Sequence, residues 1–463
     1  MRDVRSVWAD TMPEGDRVVG VPLPGDTEAD VAIVGAGLTG LWTAWSLLRR
    51  DPSMRVAVIE RDTVGFGASG RNGGWCSALL PMSLSKLARA HGEDAARRMQ
   101  RAMHATVRDV GSFVDESGVD CWYQRGGTLV MARNRPQVDR LRSELAEYAE
   151  FGFGQDHYRW LDAAEATEIC AATAVHGALW TPHCAVVHPL RLTHAVAAAV
   201  LAAGGRVHEG VTAHSIDAGR VETDHGTVRA DVVVRATEGY TSGLQGERRT
   251  LLPIYSLMVA TDPLPDELWR QIGLEGRPTF SDARHMIIYG QRTADGRIAF
   301  GGRGAPYHFG SAVKPEFDTD DGVRRLLTAG LHELFPPLAE AGIEPTHHWG
   351  GVLGAARDWT CSVRYDRNDG IATAGGYVGD GVSTTHLAGR TLAALITESD
   401  DDADRELVGL PWVGHRSRRW EPEPLRWIGV NAARGAAQRA DRAESAGQRS
   451  RLWGGVVDTL LGH

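Results

Sequence analysis

Short apolar runs near the start of the chain flank a segment with helical periodicity. Residues 30–34 (DVAIV) and 55–60 (RVAVIE) are apolar and rich in β-branched side chains, which is typical of buried parallel strands. Between them, leucine and alanine recur at helical spacing and predict a helix over 38–50. The pattern therefore predicts a βαβ unit of about thirty residues, the usual length of that motif.

Beyond this unit the pattern changes several times between helical and strand-like. Helical spacing predicts helices over 83–118, 136–150, 190–204 and 321–335. Apolar or alternating runs predict strands over 122–132, 206–234, 252–262 and 285–303. Residues 371–398 predict a strand, a Gly-rich turn and a helix over 384–397. We therefore expect an α/β fold whose second half has α+β character.

Composition and charge exclude several classes of protein. The chain has 463 residues, 43% of them hydrophobic, which is enough for more than one domain. A net charge of −9 argues against nucleic acid as a partner. No uncharged apolar run is long enough to predict a membrane span, and the N-terminus has no apolar signal core. We therefore expect a cytoplasmic protein.

The cysteines and the C-terminal composition add two expectations. The five cysteines are scattered without a C-x-x-C pair, so we expect neither a zinc site nor a redox dithiol, and no bound metal. Residues 415–463 hold nine Arg against five Asp or Glu, with Trp420, Trp427 and Trp453 among them. Such a tail fits either a membrane surface or a helical extension packed on the body or on a second subunit. We favour the extension, because the Trp residues form no helical stripe, and the oligomeric state stays open.

The sequence GAGLTG at residues 35–40 follows the first predicted strand and opens the helix after it. In that context a G-x-G-x-x-G motif predicts a dinucleotide site. Gly35 permits the tight turn, Gly37 lets the backbone approach a pyrophosphate, and Gly40 lets the helix pack on the sheet. The helix N-terminus at Leu38 and Thr39 offers N–H groups and a positive dipole end to phosphates.

Glu60 ends the second predicted strand, twenty residues after Gly40. A carboxylate at this place accepts hydrogen bonds from ribose hydroxyls and repels a 2′-phosphate, which disfavours NADP. The alternative is a solvated strand end beside a purely structural turn. The complete βαβ context favours the dinucleotide site.

A second Gly-rich stretch, GASGRNGG at residues 67–74, follows the second predicted strand. At this place it resembles the D-amino-acid-oxidase-like (DAO) family of FAD-dependent oxidoreductases, and most closely the branch that contains γ-glutamylputrescine oxidoreductase. The segments ATEGYT at 236–241 and AGGYVGDGV at 374–382 also resemble motifs of that family. The resemblance covers roughly residues 28–400, and its motifs are fairly specific together.

The resemblance implies a domain organisation. It implies a Rossmann-like FAD-binding domain of glutathione-reductase type, interleaved with an antiparallel-sheet substrate domain. The expected ranges are 1–28 for a lead-in, 29–118, 181–245 and 351–400 for the FAD-binding domain, 119–180 and 246–350 for the substrate domain, and 401–463 for a helical extension.

The resemblance also implies which residues contact FAD. These residues are Gly35, Gly37, Leu38, Thr39, Gly40, Glu60, Arg61, Gly67, Ala68, Ser69, Arg71, Asn72, Gly73, Gly74, Trp75, Val211, Ala236, Thr237, Gly239, Gly351, Gly376, Gly379, Asp380, Gly381, Val382, Ser383 and Thr384. Members that bind flavin covalently have a Cys where this chain has Gly351, so we expect non-covalent FAD. Cys76, beside the Gly-rich loop, is the one cysteine that would overturn this expectation.

The chain departs from the family on the substrate side. Members that act on amino acids carry a G-L-R-P stretch whose Arg binds the substrate carboxylate, and here Leu353 has that place. A simple D-amino acid or glycine is therefore disfavoured, and an amine or a larger amino compound is favoured. Arg303, Arg284 or Arg71 is an alternative source of a carboxylate site.

The last flavin motif differs as well. It reads G-D-G here where relatives often have G-H-G, and Ser383 stands where sarcosine-oxidase-like members have Lys. Asp380 is therefore a candidate to bind a substrate ammonium group. The alternative is that Asp380 caps the helix over 384–397.

Three further side chains are candidates for catalysis. Tyr255 and Tyr289 lie on predicted strands of the substrate half. His348 precedes Trp349 and is a candidate pocket residue, although a hydrogen-bonded core or surface histidine is the commoner case. None of the three carries a motif of its own.

The resemblance implies an enzyme that oxidises a C–N bond of an amine or amino compound to an imine by hydride transfer to flavin N5. The favoured acceptor for the electrons is O2, giving hydrogen peroxide. A flavin amine dehydrogenase with another acceptor stays open, because no Lys lies between 254 and 300, where O2-reactive relatives often place one. An NAD(P)H-dependent flavin monooxygenase is a third alternative, which the last flavin motif disfavours.

Overall fold

The computed structural model describes residues 6–398 and 401–448. The helices in these ranges are α1 (Val7–Asp10), α2 (Leu38–Arg50), α3 (Leu84–His91), α4 (Glu93–Ser117), α5 (Arg135–Glu150), α6 (Ala163–Ile169), α7 (Pro189–Ala202), α8 (Asp266–Ile272), α9 (Asp321–Leu334), α10 (Pro336–Glu340), α11 (Gly381–Thr397), α12 (Asp402–Val408) and α13 (Leu425–Ser445). The strands are β1 (Thr27–Val34), β2 (Val56–Ile59), β3 (Trp75–Ser77), β4 (Thr128–Ala132), β5 (Arg159–Leu161), β6 (Gly177–Thr181), β7 (Cys184–Val186), β8 (Arg206–His208), β9 (Ala213–Asp217), β10 (Arg220–Thr223), β11 (Gly226–Arg235), β12 (Leu252–Ala260), β13 (Thr279–Asp282), β14 (Ile288–Arg292), β15 (Ile298–Arg303), β16 (His347–Ala355), β17 (Ser362–Asp366) and β18 (Ile371–Gly375).

The first sheet is the dinucleotide-binding one. Its strand order is β17-β18-β11-β1-β2-β8, with β9 and β10 attached to β11, and β18, β11, β1, β2 and β8 run parallel. The sheet is covered by α2, whose buried face includes Leu41, Leu47 and Leu48. The predicted βαβ unit and Rossmann-like domain are therefore confirmed.

The second sheet is mostly antiparallel. Its strand order is β16-β12-β15-β14-β13-β4-β6-β5, and only the β13–β4 pair among these is parallel. Its strands come from two separate stretches of the chain, so the α+β character expected for the second half is confirmed. Helix α9 packs Leu327 and Leu331 into the core beneath this sheet, beside Phe300 and Phe335. The predicted domain boundaries stay predictions, and β16 runs across the one placed between 350 and 351.

Several predicted elements have different bounds in the structure. The helix predicted over 83–118 is two helices, because Gly92 adopts φ +88° between α3 and α4 and ends the first. The strand predicted over 122–132 begins only at Thr128, since Trp122 and Gly127 have positive φ angles. Helix α11 begins at Gly381, three residues before the predicted start at 384.

The N-terminal lead-in is also more ordered than its polar sequence predicts. Ser6 caps the short helix α1, and Val7 and Trp8 are fully buried. Trp8 makes edge-to-face contacts with Trp349 and His188, at centroid distances of 6.2 Å and 5.2 Å. Val7 and Trp8 thus belong to a core cluster, and the Trp8 indole also bonds the second Gly-rich loop.

The described part of the C-terminal extension packs on the body. The Asp441 carboxylate of α13 accepts the backbone N–H groups of His285 and Met286, both at 2.8 Å. The Trp420 indole donates to the Ala355 carbonyl oxygen at 2.8 Å, whereas Trp427 is 42% exposed. The Trp453 position lies outside the described residues. Within the described ranges, no helix has the length and apolar character needed to cross a membrane.

Candidate active site

A cavity of about 670 Å³ lies at the carboxyl ends of β1, β2 and β11, where α2 begins. Such a crevice is the usual ligand site of an open α/β sheet. The predicted FAD contacts that line it are Gly35, Gly37, Leu38, Thr39, Glu60, Arg61, Gly67, Ala68, Ser69, Asn72, Val211, Ala236, Thr237, Gly239, Gly379, Gly381 and Val382.

The first Gly-rich turn has no space for side chains. Gly35 has φ +112°, and a Cβ there would lie 2.5 Å from the Ala236 carbonyl oxygen. A Cβ on Gly37 would lie 2.9 Å from Ser69 Oγ, and one on Gly40 would lie 2.0 Å from the Gly35 carbonyl oxygen. Helix α2 begins at this turn without a cap from Gly37, and its first N–H, that of Leu38, donates to Ser69 Oγ at 2.8 Å. Gly37, Leu38 and Thr39 all line the cavity, so the helix N-terminus faces it.

Glu60 stands at the end of β2 on the cavity wall. Its carboxylate accepts the backbone N–H groups of Ala36 and Asp62, each at 2.9 Å. Burial raises the pKa of this carboxyl group, and the two N–H donors oppose that rise. The remaining acceptor capacity of the carboxylate suits ribose hydroxyls, as expected from the sequence.

The second Gly-rich loop is held from outside by its carbonyl groups. The four consecutive carbonyl oxygens of residues 71–74 accept from the Trp349 indole at 2.9 Å, the Trp8 indole at 2.8 Å, the Gln291 amide and the Val187 N–H at 2.8 Å. Asn72 braces the loop internally, because its amide donates to Ala68 and Ser69 and its oxygen accepts from Gly74. Donors from four elements thus fix the orientation of a loop that lies beside the cavity.

Replacing Trp8 with Phe tests this loop arrangement. The variant keeps an aromatic ring but loses the indole donor to the Asn72 carbonyl, so the loop is less restrained. We expect FAD to dissociate about 10-fold more readily, the effect of one lost hydrogen bond. Titration of apoprotein with FAD, followed by flavin fluorescence, measures this, with Trp427→Phe as the exposed control. An unchanged FAD affinity would contradict the role assigned to Trp8.

Glu238 was not singled out from the sequence, yet it joins three predicted flavin segments. It lines the cavity, and its carboxylate accepts the N–H groups of Gly376 at 3.0 Å and Gly354 at 3.3 Å. Burial raises its pKa to about 7. Its place between Thr237 and Gly239 in the ATEGYT motif was the available signal, but only the flanking residues were assigned.

Some predicted contacts serve other purposes in the structure. The Ser383 hydroxyl donates to the Ser77 carbonyl and the Thr384 hydroxyl to the Asp380 carbonyl, so neither hydroxyl can also donate to a cofactor. Arg71 is ion-paired with Asp318 at 2.5 Å. Others pack beside the cavity without lining it: Gly40, Gly73, Gly74, Trp75, Gly351 and Gly376.

None of the four predicted catalytic residues is among those that line the cavity, and two of them, Tyr255 and His348, have contacts with other segments. Tyr255 accepts the Lys314 N–H at 3.2 Å and contacts the rings of His308 and Phe317, so it anchors the segment that follows β15. Burial lowers the pKa of His348. Its charged neighbours are Asp320, Asp321 and Arg324, at the start of α9. Tyr255 thus lies behind the cavity-lining residues Lys314 and Asp318, and the roles of Tyr255 and His348 stay predictions.

Tyr289 and Asp380 each lie near Arg303, and Asp380 stands between the cavity-lining Gly379 and Gly381. A Cβ on Gly73 would lie 2.7 Å from the Tyr289 ring, so this ring abuts the second Gly-rich loop. The Tyr289 hydroxyl shares a hydrogen bond of 2.8 Å with Ser256. Burial raises the pKa of Asp380 to about 6, and the nearby Arg303 charge opposes the rise.

The alternative role for Asp380 as a helix cap is not what the structure shows. Asp380 occupies the N-cap position of α11, but its side chain makes no capping hydrogen bond. The carboxylate has no hydrogen bond or ion pair with any described residue. It is therefore available to a ligand.

The histidines His104, His157 and His183 lie together outside this site and contact one another. His183 stacks on His104 at a ring distance of 3.6 Å and hydrogen-bonds His157 at 2.8 Å. Burial lowers the pKa of His183 to about 4. With His104 and His183 parallel to within 7°, one ion cannot lie in the planes of both rings.

The residues present fit FAD. The cavity extends from the Gly35 turn and Glu60 to Gly379 and Val382 at the start of α11, an elongated shape that suits a dinucleotide. Its two ends meet helix N-termini, of α2 and α11, which favour negative charge. All five cysteines are buried and none forms a disulfide.

Known proteins resemble this chain over most of its length. Gamma-glutamylputrescine oxidoreductase of Escherichia coli (strain K12) is 31% identical over 399 residues, which cover 84% of this chain and 89% of that protein. Probable oxidoreductase OrdL of Rhizobium meliloti (strain 1021) is 30% identical and covers 85% and 88%. The solved structure of glycine oxidase from Geobacillus kaustophilus has the same fold, with a TM-score of 0.69 and 21% identity over 81% of this chain and 96% of that one. The profile of the family described as DAO, FAD dependent oxidoreductase, matches residues 30–395, and the chain therefore belongs to that family.

Proposed function

We propose that this enzyme oxidises a C–N bond of an amine or amino compound to an imine, with FAD held non-covalently. The single observation that carries the proposal is the Asp380 carboxylate, which has no partner among the described residues and stands between the cavity-lining Gly379 and Gly381. A carboxylate in that position suits a substrate that arrives as an ammonium ion. The name of the gamma-glutamylputrescine oxidoreductase relative points to the same substrate class.

FAD, when bound, would supply the acceptor for the hydride that leaves the carbon next to nitrogen. The chain has to orient that carbon, exclude water and remove a proton from the ammonium group. We assign the proton to Asp380, because its carboxylate has no partner among the described residues, and the wall next to the Gly-rich loop to Tyr289, whose ring abuts Gly73. The imine then hydrolyses to a carbonyl compound and the released amine or ammonia.

Non-covalent FAD is supported by the cysteines. The position that corresponds to the covalent attachment in some relatives is Gly351, and Cys76 is fully buried with its pKa raised well above the ordinary value. Acid precipitation of the purified protein should leave all yellow colour in the supernatant. Flavin that stays in the pellet would contradict this part of the proposal.

Anaerobic mixing with a panel of amines tests the reaction, followed at about 450 nm, where oxidised flavin absorbs. We expect amines to bleach the flavin and air to restore the colour with release of hydrogen peroxide. Recovery only with a quinone or dye would instead identify an amine dehydrogenase. Bleaching by NADPH but by no amine would contradict the proposal and favour a monooxygenase. The cytoplasmic location stays a prediction.

A further inference from the structure

A second cavity, of about 470 Å³, lies at the β17 edge of the dinucleotide-binding sheet. Among the described residues, none lines both this cavity and the FAD cavity. Its floor is formed by β17 and β18, on the positions that alternate with the buried Val363 and Ala372. One wall is formed by residues of the segment 415–419, which comes after residues 30–395, the part of the chain that matches the family. The volume is in the range of small-molecule sites.

The register of three adjacent strands brings basic side chains together on the floor of this second cavity. Thr373 of β18 is paired with Arg235 of β11 on one side and with Arg364 of β17 on the other. Residues in register on neighbouring strands direct their side chains to the same face of a sheet, with the strands about 4.8 Å apart. The two arginines therefore stand on either side of the threonine. Arg416 and Arg419 line the same cavity from the C-terminal segment.

The acidic side chains that line the second cavity are already engaged. Glu247 is ion-paired with Arg235 at 2.7 Å. Asp366 and Asp369 each accept the backbone N–H group two residues further along the chain, at 3.2 Å and 2.9 Å. Asp366 also lies 3.7 Å from the exposed Arg416 guanidinium, which is too far for a hydrogen bond. The carboxylates therefore neutralise only part of the positive charge of the cavity.

The remaining donors of the second cavity have no hydrogen-bond or ion-pair partner among the described residues. These donors are the guanidinium groups of Arg364 and Arg419 and the hydroxyl groups of Ser362 and Thr373. Burial lowers the pKa of Arg364, the like charges of Arg416 and Arg235 lower it further, and nearby carboxylates oppose the shift. Half-buried cations that repel one another cost free energy until an anion lies between them.

We propose that the second cavity binds a phosphate group, either free or as the phosphate of a small ester such as a nucleotide. Guanidinium groups donate hydrogen bonds and cannot accept them, so the free donors of this cavity favour an anion. They come from two strands and from the C-terminal segment, and hence from several directions. That arrangement suits a tetrahedral group with three or four oxygens better than a flat carboxylate with two. The site is separate from the FAD cavity and does not depend on the proposed function.

Calorimetric titration of the FAD-loaded protein with inorganic phosphate and with AMP, at low salt, tests the site without turnover. We expect Arg364→Gln to weaken the binding of both about 10- to 100-fold, the effect of losing charge-assisted hydrogen bonds, and Arg364→Lys to keep part of the affinity. Arg206→Gln is the matched control, because Arg206 is an exposed arginine on β8, at the other edge of the same sheet, and lines neither cavity. Equal Kd values in the wild type and Arg364→Gln, or saturable binding of neither probe by the wild type, would overturn the inference.

The two probes also identify the source of the phosphate, and a dicarboxylate tests the ligand class. Tighter binding of AMP than of phosphate would support a nucleotide ligand, and equal or weaker binding of AMP would support free phosphate. Malonate should bind more weakly than phosphate, and malonate binding that is equal or tighter would overturn the assignment to phosphate.

Thermal unfolding at constant ionic strength gives a second readout of the same site. A ligand that binds only the folded protein raises its Tm, so phosphate should raise the Tm of the wild type and of Arg206→Gln but not of Arg364→Gln. Without phosphate, Arg364→Gln should be at least as stable as the wild type, because the substitution removes repulsion from Arg416 and Arg235. A rise in Tm with phosphate that is the same in Arg364→Gln and the wild type would contradict the proposed site.

Discussion

A Gly37→Val variant is expected to lose FAD while keeping its fold. The backbone at Gly37 has φ −84° and ψ 178°, which valine adopts without strain. The substitution therefore acts only through the volume that the new side chain occupies. Its Cβ would lie 2.9 Å from Ser69 Oγ, between the start of α2 and the second Gly-rich loop. The two methyl groups would then occupy the place where the pyrophosphate meets the helix N-terminus. We expect the affinity for FAD to fall by about 100-fold or more.

The measurement is the flavin content of the purified protein, followed by titration of the apoprotein with FAD. Gly154→Val is the matched control, because a Cβ at Gly154 meets nothing within 4 Å and its φ is not positive. Circular dichroism of both variants should match the wild type. A Gly37→Val protein that is purified yellow, with wild-type FAD affinity, would show that the cofactor does not lie on this turn.

The first half of the site could be predicted because its constraints are local. The turn at 35–40 and the acid at Glu60 are fixed by one strand, one helix and the next strand, all contiguous in sequence. Apolar β-branched runs and helical spacing reveal those elements directly. The same locality explains why the α2 bounds were predicted correctly to the residue.

The substrate half could not be predicted at this level. β16 contains three glycines, which mask its strand character, and they are needed because a Cβ at Gly350 would lie 2.1 Å from Leu257 Cδ2. Tyr255 was assigned from a predicted strand and His348 from its place before Trp349, and neither criterion says which face a side chain takes. Their actual neighbours on α9 and on the segment after β15 are distant in sequence.

The carboxylate partner of Arg71 is also non-local. Asp318 neutralises Arg71 across 247 residues, and no periodicity encodes such a pairing. Glu238 was missed for the same reason, since the N–H groups that its carboxylate accepts, those of Gly354 and Gly376, come from two later segments of the chain. Charge balance at a buried site depends on tertiary packing, which only the structure supplies.

Asp380→Asn is expected to slow flavin reduction by about 100- to 1,000-fold near neutral pH, the usual range for a lost general base. Amines are protonated there, and hydride leaves the carbon only when the nitrogen lone pair is free. Burial holds the pKa of Asp380 at about 6, so in the wild type the carboxylate is available above that pH and lost below it. The rate of anaerobic bleaching should therefore rise with pH through about 6 in the wild type, and this limb should be absent in the variant.

Thermal stability distinguishes this effect from damage to the fold. The folded-state pKa of Asp380 lies above the ordinary 3.8, so the folded protein binds the proton more tightly than the unfolded chain. The carboxyl group therefore favours folding at low pH, and this contribution is lost as pH rises through about 6. Asp380→Asn should have a Tm equal to the wild type in acid and higher than the wild type above neutrality, while Asp380→Glu restores part of the activity. A variant with a lower Tm at all pH values and an unchanged dependence of the bleaching rate on pH would show that Asp380 is structural. A buried general base destabilises the folded protein when it is charged, and its removal changes the pH profile of the reaction.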